Sequence, residues 1–388
     1  MRIALLGAGI IGTVVGRDLA AWDQPDEVVV GDLDEARAAR VAAEAGFESA
    51  AVDVRDAESL DAFLRGADVV VNAAQYEVNL AVMEGALRAG AHYTDLGGLF
   101  FTTRKQLLLD RQFEEAGLTA VLGIGSCPGI ANIHAGDLAA RMDTVKSVII
   151  YNGATVDPSD SLKWPYSLWT IFDEIVERPM VFRGGEFMDL DPLSEEELFP
   201  FKEPIGYQKA HLSLHSEVAT IPLSLADKGI EACEFKIHFF GFPEGALRKL
   251  QFLASLGLAS KEARSVGEVG GVVPRRLLVD LLEELQPDPP QHAGFKDIAT
   301  VAVGTRDGIP IEMRLDTTAW PSEVLKVYGG TMVVGSPAAI VARWLASGRI
   351  AAKGVRPPET SIDPQPFYED LAVRGAQTSL REERILAG

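Results

Sequence analysis

Hydrophobic and polar positions along the first 130 residues follow the pattern of buried strands separated by amphipathic helices. Continuous apolar runs at 3–6, 28–30 and 69–71 predict strands that are covered on both faces, as in a parallel sheet. Between these runs apolar residues recur with a helical period, and glycines close several of the predicted helices. This alternation predicts an α/β fold in which helices cover both faces of a doubly wound parallel sheet.

A glycine-rich turn follows the first strand directly. Gly7-Ala8-Gly9-Ile10-Ile11-Gly12 leads into a predicted helix, and Asp32 ends the next strand, 20 residues after Gly12. Strand, glycine turn, helix, strand and acidic residue in this order form the dinucleotide-binding fingerprint of a Rossmann domain. The turn lets a pyrophosphate approach the helix N-terminus, and the carboxylate accepts hydrogen bonds from an unphosphorylated ribose. NAD is therefore the predicted cofactor, and NADP is less favoured. Predicted contacts are Gly7, Gly9, Ile10, Ile11, Gly12 and Asp32.

Further cofactor contacts are expected where other strands end, because ligands bind at the carboxyl edge of such sheets. The predicted contacts are Asp53, Val54, Ala73, Ala74, Gln75, Gly97, Cys127 and Pro128. A solvated turn carboxylate is an equally good interpretation of Asp53. Cys127 is interpreted as a small wall residue of the loop 123–129, since no local signature supports a nucleophile.

The pattern changes after residue 131. Strands and helices no longer alternate regularly, and Arg306-Asp307-Gly308 between two alternating runs predicts a β-hairpin. The middle of the chain is therefore predicted as an α+β domain with a mainly antiparallel sheet. The acidic, proline-containing stretch 188–204 is predicted as a surface loop. Helices predicted at 336–346 and 364–374 are expected to pack back on the first domain.

The composition disfavours some classes of binding partner. The 388 residues carry a formal net charge of −20, which disfavours nucleic acid and anionic membranes, and no apolar run is long enough to span a bilayer. Two cysteines provide no disulfide framework, so a cytoplasmic location is expected. His211 and His215 could begin a metal site, but no third ligand lies nearby. A strand with both histidines on one face is favoured, and no metal is predicted.

Five stretches together resemble the saccharopine dehydrogenase-like oxidoreductases. They are 7–12, 68–74, Tyr93-Thr94-Asp95-Leu96-Gly97-Gly98, Gly125-Ser126-Cys127-Pro128-Gly129-Ile130 and Gly354-Val355-Arg356-Pro357-Pro358-Glu359. The resemblance implies a Rossmann domain (1–130 plus 333–388) interrupted by a catalytic and oligomerisation domain (131–332). It also implies a homodimer or homotetramer and a small amino-acid or amine substrate.

The activity implied by this resemblance is hydride transfer from a CH–NH₂ or CH–NH group to NAD. In the lysine 6-dehydrogenase type, the imine product hydrolyses to an aldehyde and ammonia. Such a site must take up a proton and stabilise a forming iminium cation. The candidates for these roles are Tyr76, Asp95 and His215, with the hydroxyls of Ser167 and Thr220. Two alternatives stay open: a saccharopine-type (opine) reductase that uses NAD(P)H, and a non-catalytic NAD-binding sensor.

Overall fold

The structure is a computed structural model that describes residues 1–22, 27–155, 167–238, 244–267, 270–284 and 294–384. Its first part alternates strands and helices. The elements are β1 (Arg2–Leu6), α1 (Ile10–Ala21), β2 (Glu27–Asp32), α2 (Glu35–Ala45), β3 (Glu48–Ala51), α3 (Ala57–Leu64), β4 (Val69–Asn72), α4 (Asn79–Ala89), β5 (His92–Asp95), α5 (Leu99–Gln106), α6 (Asp110–Glu115), β6 (Thr119–Val121) and α7 (Ile130–Ala140).

The middle of the chain is richer in strands. Its elements are β7 (Thr144–Ala154), α8 (Leu168–Val176), β8 (Met180–Arg183), β9 (Glu186–Asp189), β10 (Glu197–Pro200), β11 (Tyr207–Leu212), α9 (Glu217–Ser224), β12 (Ala232–Ile237), α10 (Glu244–Ser255), β13 (Arg264–Ser265), β14 (Gly271–Val272), α11 (Pro274–Glu284), β15 (Lys296–Arg306) and β16 (Ile309–Ala319). The C-terminal elements are α12 (Gly329–Ala346), β17 (Gly354–Arg356), α13 (Pro358–Ser361), α14 (Pro364–Val373) and β18 (Ala376–Arg384).

In the described part of the chain, seven parallel strands form the first sheet, in the order β17-β6-β5-β4-β1-β2-β3. The apolar runs predicted as two-sided strands are fully buried in β1 and β4. Chain order reverses beside β1, so the carboxyl ends of β1 and β4 flank the crevice where this fold binds ligands. The doubly wound Rossmann prediction is confirmed.

Most strands of the middle region join a second sheet, with the main order β10-β11-β12-β7-β15-β16-β18. Only β12 and β7 run parallel among these described neighbours. The prediction of a mainly antiparallel sheet is therefore confirmed. The hairpin prediction also holds, because Arg306 pairs with Ile309 across a turn in which Asp307 and Gly308 both have positive φ. Such a turn matches the twist of the two strands it joins.

The C-terminal elements contribute to both sheets. Strand β17 pairs with β6 in the parallel sheet, and α12 packs on α1, where the backbone of Gly335 lies against Val14. Strand β18 instead pairs with β16 along nine residue pairs of the second sheet. Residues 376–384, within the range predicted for the Rossmann domain, thus lie at the edge of the other sheet in the described part of the chain.

Two local predictions differ from the structure. The stretch 188–204 is not wholly a loop, since β10 pairs with β11 there. Strand β11 ends at Leu212, so His215 lies beyond the strand on which it was predicted. The sequence also groups aromatic residues at 164–169, and 164–166 of this stretch lie outside the described residues. None of the helices in the described ranges is both long enough and apolar enough to cross a bilayer.

Candidate active site

The glycine turn between β1 and α1 is shaped by close backbone approach. Gly7 has a φ of +92°, which side chains rarely adopt, and a Cβ at Gly12 would lie 1.8 Å from the carbonyl oxygen of Gly7. A Cβ at Gly7 would meet the backbone of Ala73 at 2.7 Å, whereas one at Gly9 would have no neighbour within 4 Å. The turn therefore packs tightly inside and leaves open space at Gly9, on the side where a pyrophosphate would approach.

The polar groups around this turn fit a dinucleotide. Helix α1 begins at Ile10 without a side-chain cap, so its first N–H groups can donate to phosphate oxygens. The Asp32 carboxylate accepts the N–H of Ala8 at 2.7 Å and that of Asp34 at 2.9 Å. These bonds fix the carboxylate at the end of β2, beside the turn, where it can also accept ribose hydroxyls. The residues present thus fit a nicotinamide dinucleotide.

Replacing Gly12 with alanine should weaken NAD binding and lower thermal stability. The added methyl group would displace the Gly7 carbonyl, and overpacking of this kind costs about 1–3 kcal/mol. If this cost is met only when the cofactor binds, affinity falls roughly 10- to 100-fold. Gly9→Ala should keep the melting temperature and lose affinity alone, whereas Gly245→Ala, in helix α10 with open space around it, should keep the affinity and should not lower the melting temperature. NADH fluorescence titrations and thermal melts measure both quantities. Unchanged NADH affinity in Gly12→Ala would contradict the prediction.

The other predicted cofactor contacts line the same edge of the parallel sheet. Ala73 and Ala74 follow β4 against the glycine turn, and Gln75 is exposed beside them. Asp53 and Val54 follow β3, next to the strand that ends at Asp32. Asp53 pairs with Arg55, which lowers the pKa of this exposed carboxylate. A Cβ at Gly97 would lie 2.7 Å from Pro128, so these two residues close the crevice after β5 and β6.

Asp95 is fully buried at the end of β5 and receives many donors. Its oxygens accept the N–H groups of Gly97 and Gly123 at 2.9 and 2.7 Å, as well as side-chain donors from Asn79, Tyr93 and Gln106. Burial raises the pKa of Asp95, while these hydrogen bonds oppose the rise. The carboxylate joins the loops after β5 and β6. Its geometry suits holding these loops in place, and its catalytic role stays a prediction.

Tyr76 contacts the middle domain across the crevice. Its hydroxyl donates to the buried Asp173 carboxylate at 2.7 Å and accepts from Lys261 at 3.0 Å. The Asp173 carboxylate also forms ion pairs with Lys261, at 2.8 Å, and with the guanidinium of Arg275. Burial, reinforced by Asp173, raises the pKa of Tyr76 well above its ordinary value. Tyr76 is thus part of an ion-paired rim between the domains. Ser167 is exposed at the start of α8, close in sequence to Asp173.

His215 lies in a second group of polar side chains, deeper in the junction between the domains. Its ring stacks on Phe235 with centroids 3.8 Å apart, and Nδ1 donates to Oε2 of Glu217. We use the term buried polar cluster for six side chains that come here from five segments of the chain: Cys127, Asn152, Glu174, His215, Glu217 and Lys296. All but Cys127 are more than nine-tenths buried.

Burial and neighbouring charges shift the pKa values of several side chains in the buried polar cluster. Burial lowers the pKa of Lys296 to about 7, although Cys127 and Glu174 favour its protonated form. Burial alone would lower the pKa of His215, but the Glu217 carboxylate outweighs this and the net pKa is raised. Burial, together with Glu217, raises the pKa of the Cys127 thiol well above its usual value, so Cys127 is not an activated nucleophile here. Lys296 can exchange a proton near neutral pH.

Thr220 lies on α9 three residues after Glu217 and donates to its backbone carbonyl at 3.4 Å, but the side-chain partner of Thr220 lies outside this cluster. Its hydroxyl accepts from Asn132 at 3.3 Å, and Asn132 also donates to Glu359 at 2.8 Å. The structure therefore brings His215 and Cys127 together and places Tyr76 at the rim, Asp95 beneath the loops and Thr220 in a separate network. Nowhere in the described ranges do three histidine, cysteine or carboxylate side chains come together as a metal site requires.

Sequence reasoning missed Lys296, Glu174, Glu217 and Asn152. Strand β15 carried a signal, because a period of two places Lys296 on the same face as the apolar Ile298 and Ala302, all of them buried. A lysine on a buried strand face is unusual and often marks function. Glu174 carried a weaker signal, as one of two adjacent carboxylates in an otherwise apolar helix.

Family models cover nearly the whole chain. The saccharopine dehydrogenase NADP binding domain matches residues 3–121, and the saccharopine dehydrogenase C-terminal domain matches residues 125–376. The chain belongs to the saccharopine dehydrogenase family. The family resemblance seen in the sequence is thereby confirmed, and with it an oxidoreductase that has an NAD(P)-binding domain. The comparisons do not single out the lysine 6-dehydrogenase type.

Relatives within this family are similar along most of their length. The chain is 23% identical to a carboxyaminopropylagmatine dehydrogenase of Synechocystis over 96% of each protein. It is 24% identical to a carboxynorspermidine synthase of Vibrio alginolyticus, over 87% of this chain and 83% of the relative. The structure matches apo saccharopine dehydrogenase (L-Glu forming) of Saccharomyces cerevisiae with a TM-score of 0.74, at 18% identity and over 99% of both chains. That likeness supports the fold.

Proposed function

We propose that this protein is an NAD-dependent oxidoreductase of a C–N bond, acting on a secondary amine that carries a carboxyl group. The observation that carries the proposal is the buried polar cluster between the two domains, in which Glu174 lies near a lysine with a pKa of about 7 and Glu217 lies near Cys127 and His215. Carboxylates in a buried site favour a cationic ligand, and a lysine that titrates near neutrality suits proton transfer.

The substrate class is supported by the relatives. Carboxynorspermidine and carboxyaminopropylagmatine are, by their names, polyamines that bear a carboxyl group. The same reaction, run in reverse, would join an amine to a carbonyl compound by reduction of their imine. The oxidation of a primary amine such as lysine, predicted from the sequence, stays a prediction and uses the same cluster.

The chain's own residues account for the proton steps. Only a neutral amine releases hydride readily, so Lys296 in its neutral form removes a proton from the substrate nitrogen. Glu174 and Glu217 then stabilise the positive charge that develops on the C–N unit. When bound, the nicotinamide cofactor accepts the hydride in oxidation or supplies it in reduction. The closely packed domains limit water at the cluster, which strengthens these electrostatic effects.

A panel of substrates tests the proposal. Absorbance of the reduced cofactor at 340 nm would be followed with lysine, saccharopine, carboxynorspermidine and carboxyaminopropylagmatine for oxidation, and with amine–aldehyde and amino acid–keto acid pairs for reduction. We expect turnover with a carboxylated secondary amine or with the pair that forms it. Turnover of lysine alone would favour the primary-amine reaction. NAD binding without turnover of any compound would reject both and support a sensor.

Cofactor choice is expected to depend on Asp32. Its carboxylate would repel a 2′-phosphate, so wild-type enzyme should prefer NAD, and Asp32→Ser should shift the ratio of kcat/KM for NAD over NADP by about 10-fold or more toward NADP. Part of the shift would come from weaker NAD binding. The neighbouring Asp34→Ser variant makes the same change at the N-cap of α2, where serine can still accept the capping bonds, and serves as a control that should keep the ratio. A wild-type preference for NADP would contradict the assignment.

A further inference from the structure

Two buried oxygen acceptors in the buried polar cluster lack a donor among the described residues. They are Oε1 of Glu217 and Oδ1 of Asn152. Glu217 is fully buried and Asn152 is 5% exposed. The Cys127 thiol lies beside Glu217 but does not meet Oε1 with hydrogen-bond geometry. Buried acceptors nearly always have a donor, so two in one cluster indicate a ligand that supplies N–H or O–H groups.

Both acceptors belong to the part of the cluster beside Phe235 on one face of the second sheet. Asn152 pairs with Ile237 on β12 and Ile298 on β15. Strand alternation therefore places its side chain on the sheet face that carries Phe235 and Lys296. Glu217 opens α9, which packs on this face, and is anchored there by His215, whose ring stacks on Phe235. One oxygen of Glu217 is thus held by the protein while the other remains available.

We propose that Glu217 and Asn152 form the subsite for the substrate nitrogen, each accepting one N–H of an aliphatic amine; this assignment rests on the proposed function. A protonated primary amine carries three N–H donors and a protonated secondary amine carries two, so both acceptors can be met before Lys296 removes one of these protons. A carboxylate has no donor and would meet the Glu217 charge, and an alcohol has only one donor. The subsite therefore selects amines over alcohols and acids of the same size.

The first test uses binding, which does not require turnover. Isothermal titration of the NADH-loaded protein with n-butylamine, n-butanol and butyrate compares one amine with two ligands of similar size. We expect n-butylamine alone to bind measurably. Asn152→Leu and Glu217→Gln should each weaken its binding by about 10-fold or more, as expected for hydrogen bonds to a charged group. Thr300→Val, on the same sheet face but bonded to His134, should bind n-butylamine like the wild type.

Stability separates a ligand subsite from a structural role. Replacing an acceptor that has no donor by an apolar side chain is neutral or stabilising, so Asn152→Leu should melt at or above the wild-type temperature while losing amine affinity. With the best substrate of the panel, both subsite variants should raise KM for the amine and leave NADH affinity unchanged. Equal affinity for n-butylamine and n-butanol, or wild-type amine affinity in both variants, would overturn the proposal.

The two proposals fail in different ways. If the wild type turns over an amine of the panel but the subsite variants keep its KM, the nitrogen subsite is wrong and the proposed function stands. If no compound of the panel turns over yet n-butylamine binds and both variants lose it, the subsite stands and the proposed reaction is wrong. A crystal structure with only water bonded to Glu217 Oε1 in the presence of saturating n-butylamine would also reject the subsite.

Discussion

Lys296→Met is expected to lower kcat/KM for oxidation of the amine substrate by about 100-fold or more at pH 7, because general acid–base catalysis by a placed side chain contributes factors of that order. Methionine keeps the length and apolar body of the lysine stem but cannot carry a proton. The side chain is 2% exposed, so bulk solvent has little access to replace it as proton acceptor. Steady-state kinetics of the oxidation, with cofactor saturated, measures the effect.

The pKa of Lys296 determines whether each rate rises or falls with pH. With a pKa of about 7, Lys296 is mostly protonated below pH 7 and mostly neutral above it. Oxidation needs the neutral form, so kcat/KM should rise as pH increases through about 7. Reduction needs the protonated form, so its rate should fall over the same range. Both inflections should disappear in Lys296→Met, leaving a profile that is flatter near pH 7.

Lys261→Met is the matched control, because it makes the same change at the ion-paired rim, where the lysine is 35% exposed. This variant should keep the inflection near pH 7 even if its KM changes through loss of the contacts with Tyr76 and Asp173. An inflection that persists in Lys296→Met would assign the proton transfer to another group, with His215 the first alternative. Loss of the inflection in both variants would point to a change in domain packing instead.

The Rossmann part could be predicted from sequence because its signals are local. A buried parallel strand has an unbroken apolar run, and the Gly7–Gly12 turn requires glycine at positions that the structure shows to be sterically closed. The hairpin at Asp307-Gly308 is equally local. The pairing of β18 with β16 was not predictable in this way, because it joins segments about 60 residues apart and β18 has a mostly polar, exposed sequence.

The candidate site was harder to predict, because its side chains come from distant segments. Cys127, Asn152 and Glu174 lie on a loop, a strand and a helix, and only the fold brings them to His215 and Lys296. Asp95 shows the opposite difficulty. Its position at a strand end correctly predicts the edge of the sheet, but sequence alone does not reveal that Gly97 and Gly123 would fold over it as donors.

The second large effect is expected from Asp18, a fully buried carboxylate within α1. It accepts from Arg343 of α12 at 2.9 Å and from Arg374, which follows α14, at 2.7 and 2.9 Å. These bonds add to the packing of α12 on α1 and help to hold the C-terminal helices there. Asp18→Ala would leave two largely buried guanidinium groups near one another without their carboxylate, a change that costs about 3–5 kcal/mol of folding free energy.

Urea unfolding followed by tryptophan fluorescence measures this loss of folding free energy. The fluorescence should also be sensitive to the change at Asp18 itself, because the Arg374 guanidinium lies 4.5 Å from the ring centre of Trp22. Asp61→Ala removes the carboxylate of an exposed pair with Arg88 and should cost less than about 1 kcal/mol. Asp18→Asn keeps the shape and removes the charge, so its loss of stability should fall between those of the two alanine variants.

The prediction would be contradicted if Asp18→Ala were no more destabilising than Asp61→Ala. Water would then have to reach both arginines, and the C-terminal helices would be held on α1 by apolar packing alone. Helix α1 supplies the N–H groups that can donate to the cofactor phosphates, and Gly335 of α12 lies against Val14 of α1. NADH affinity should therefore fall together with stability in Asp18→Ala and stay unchanged in Asp61→Ala.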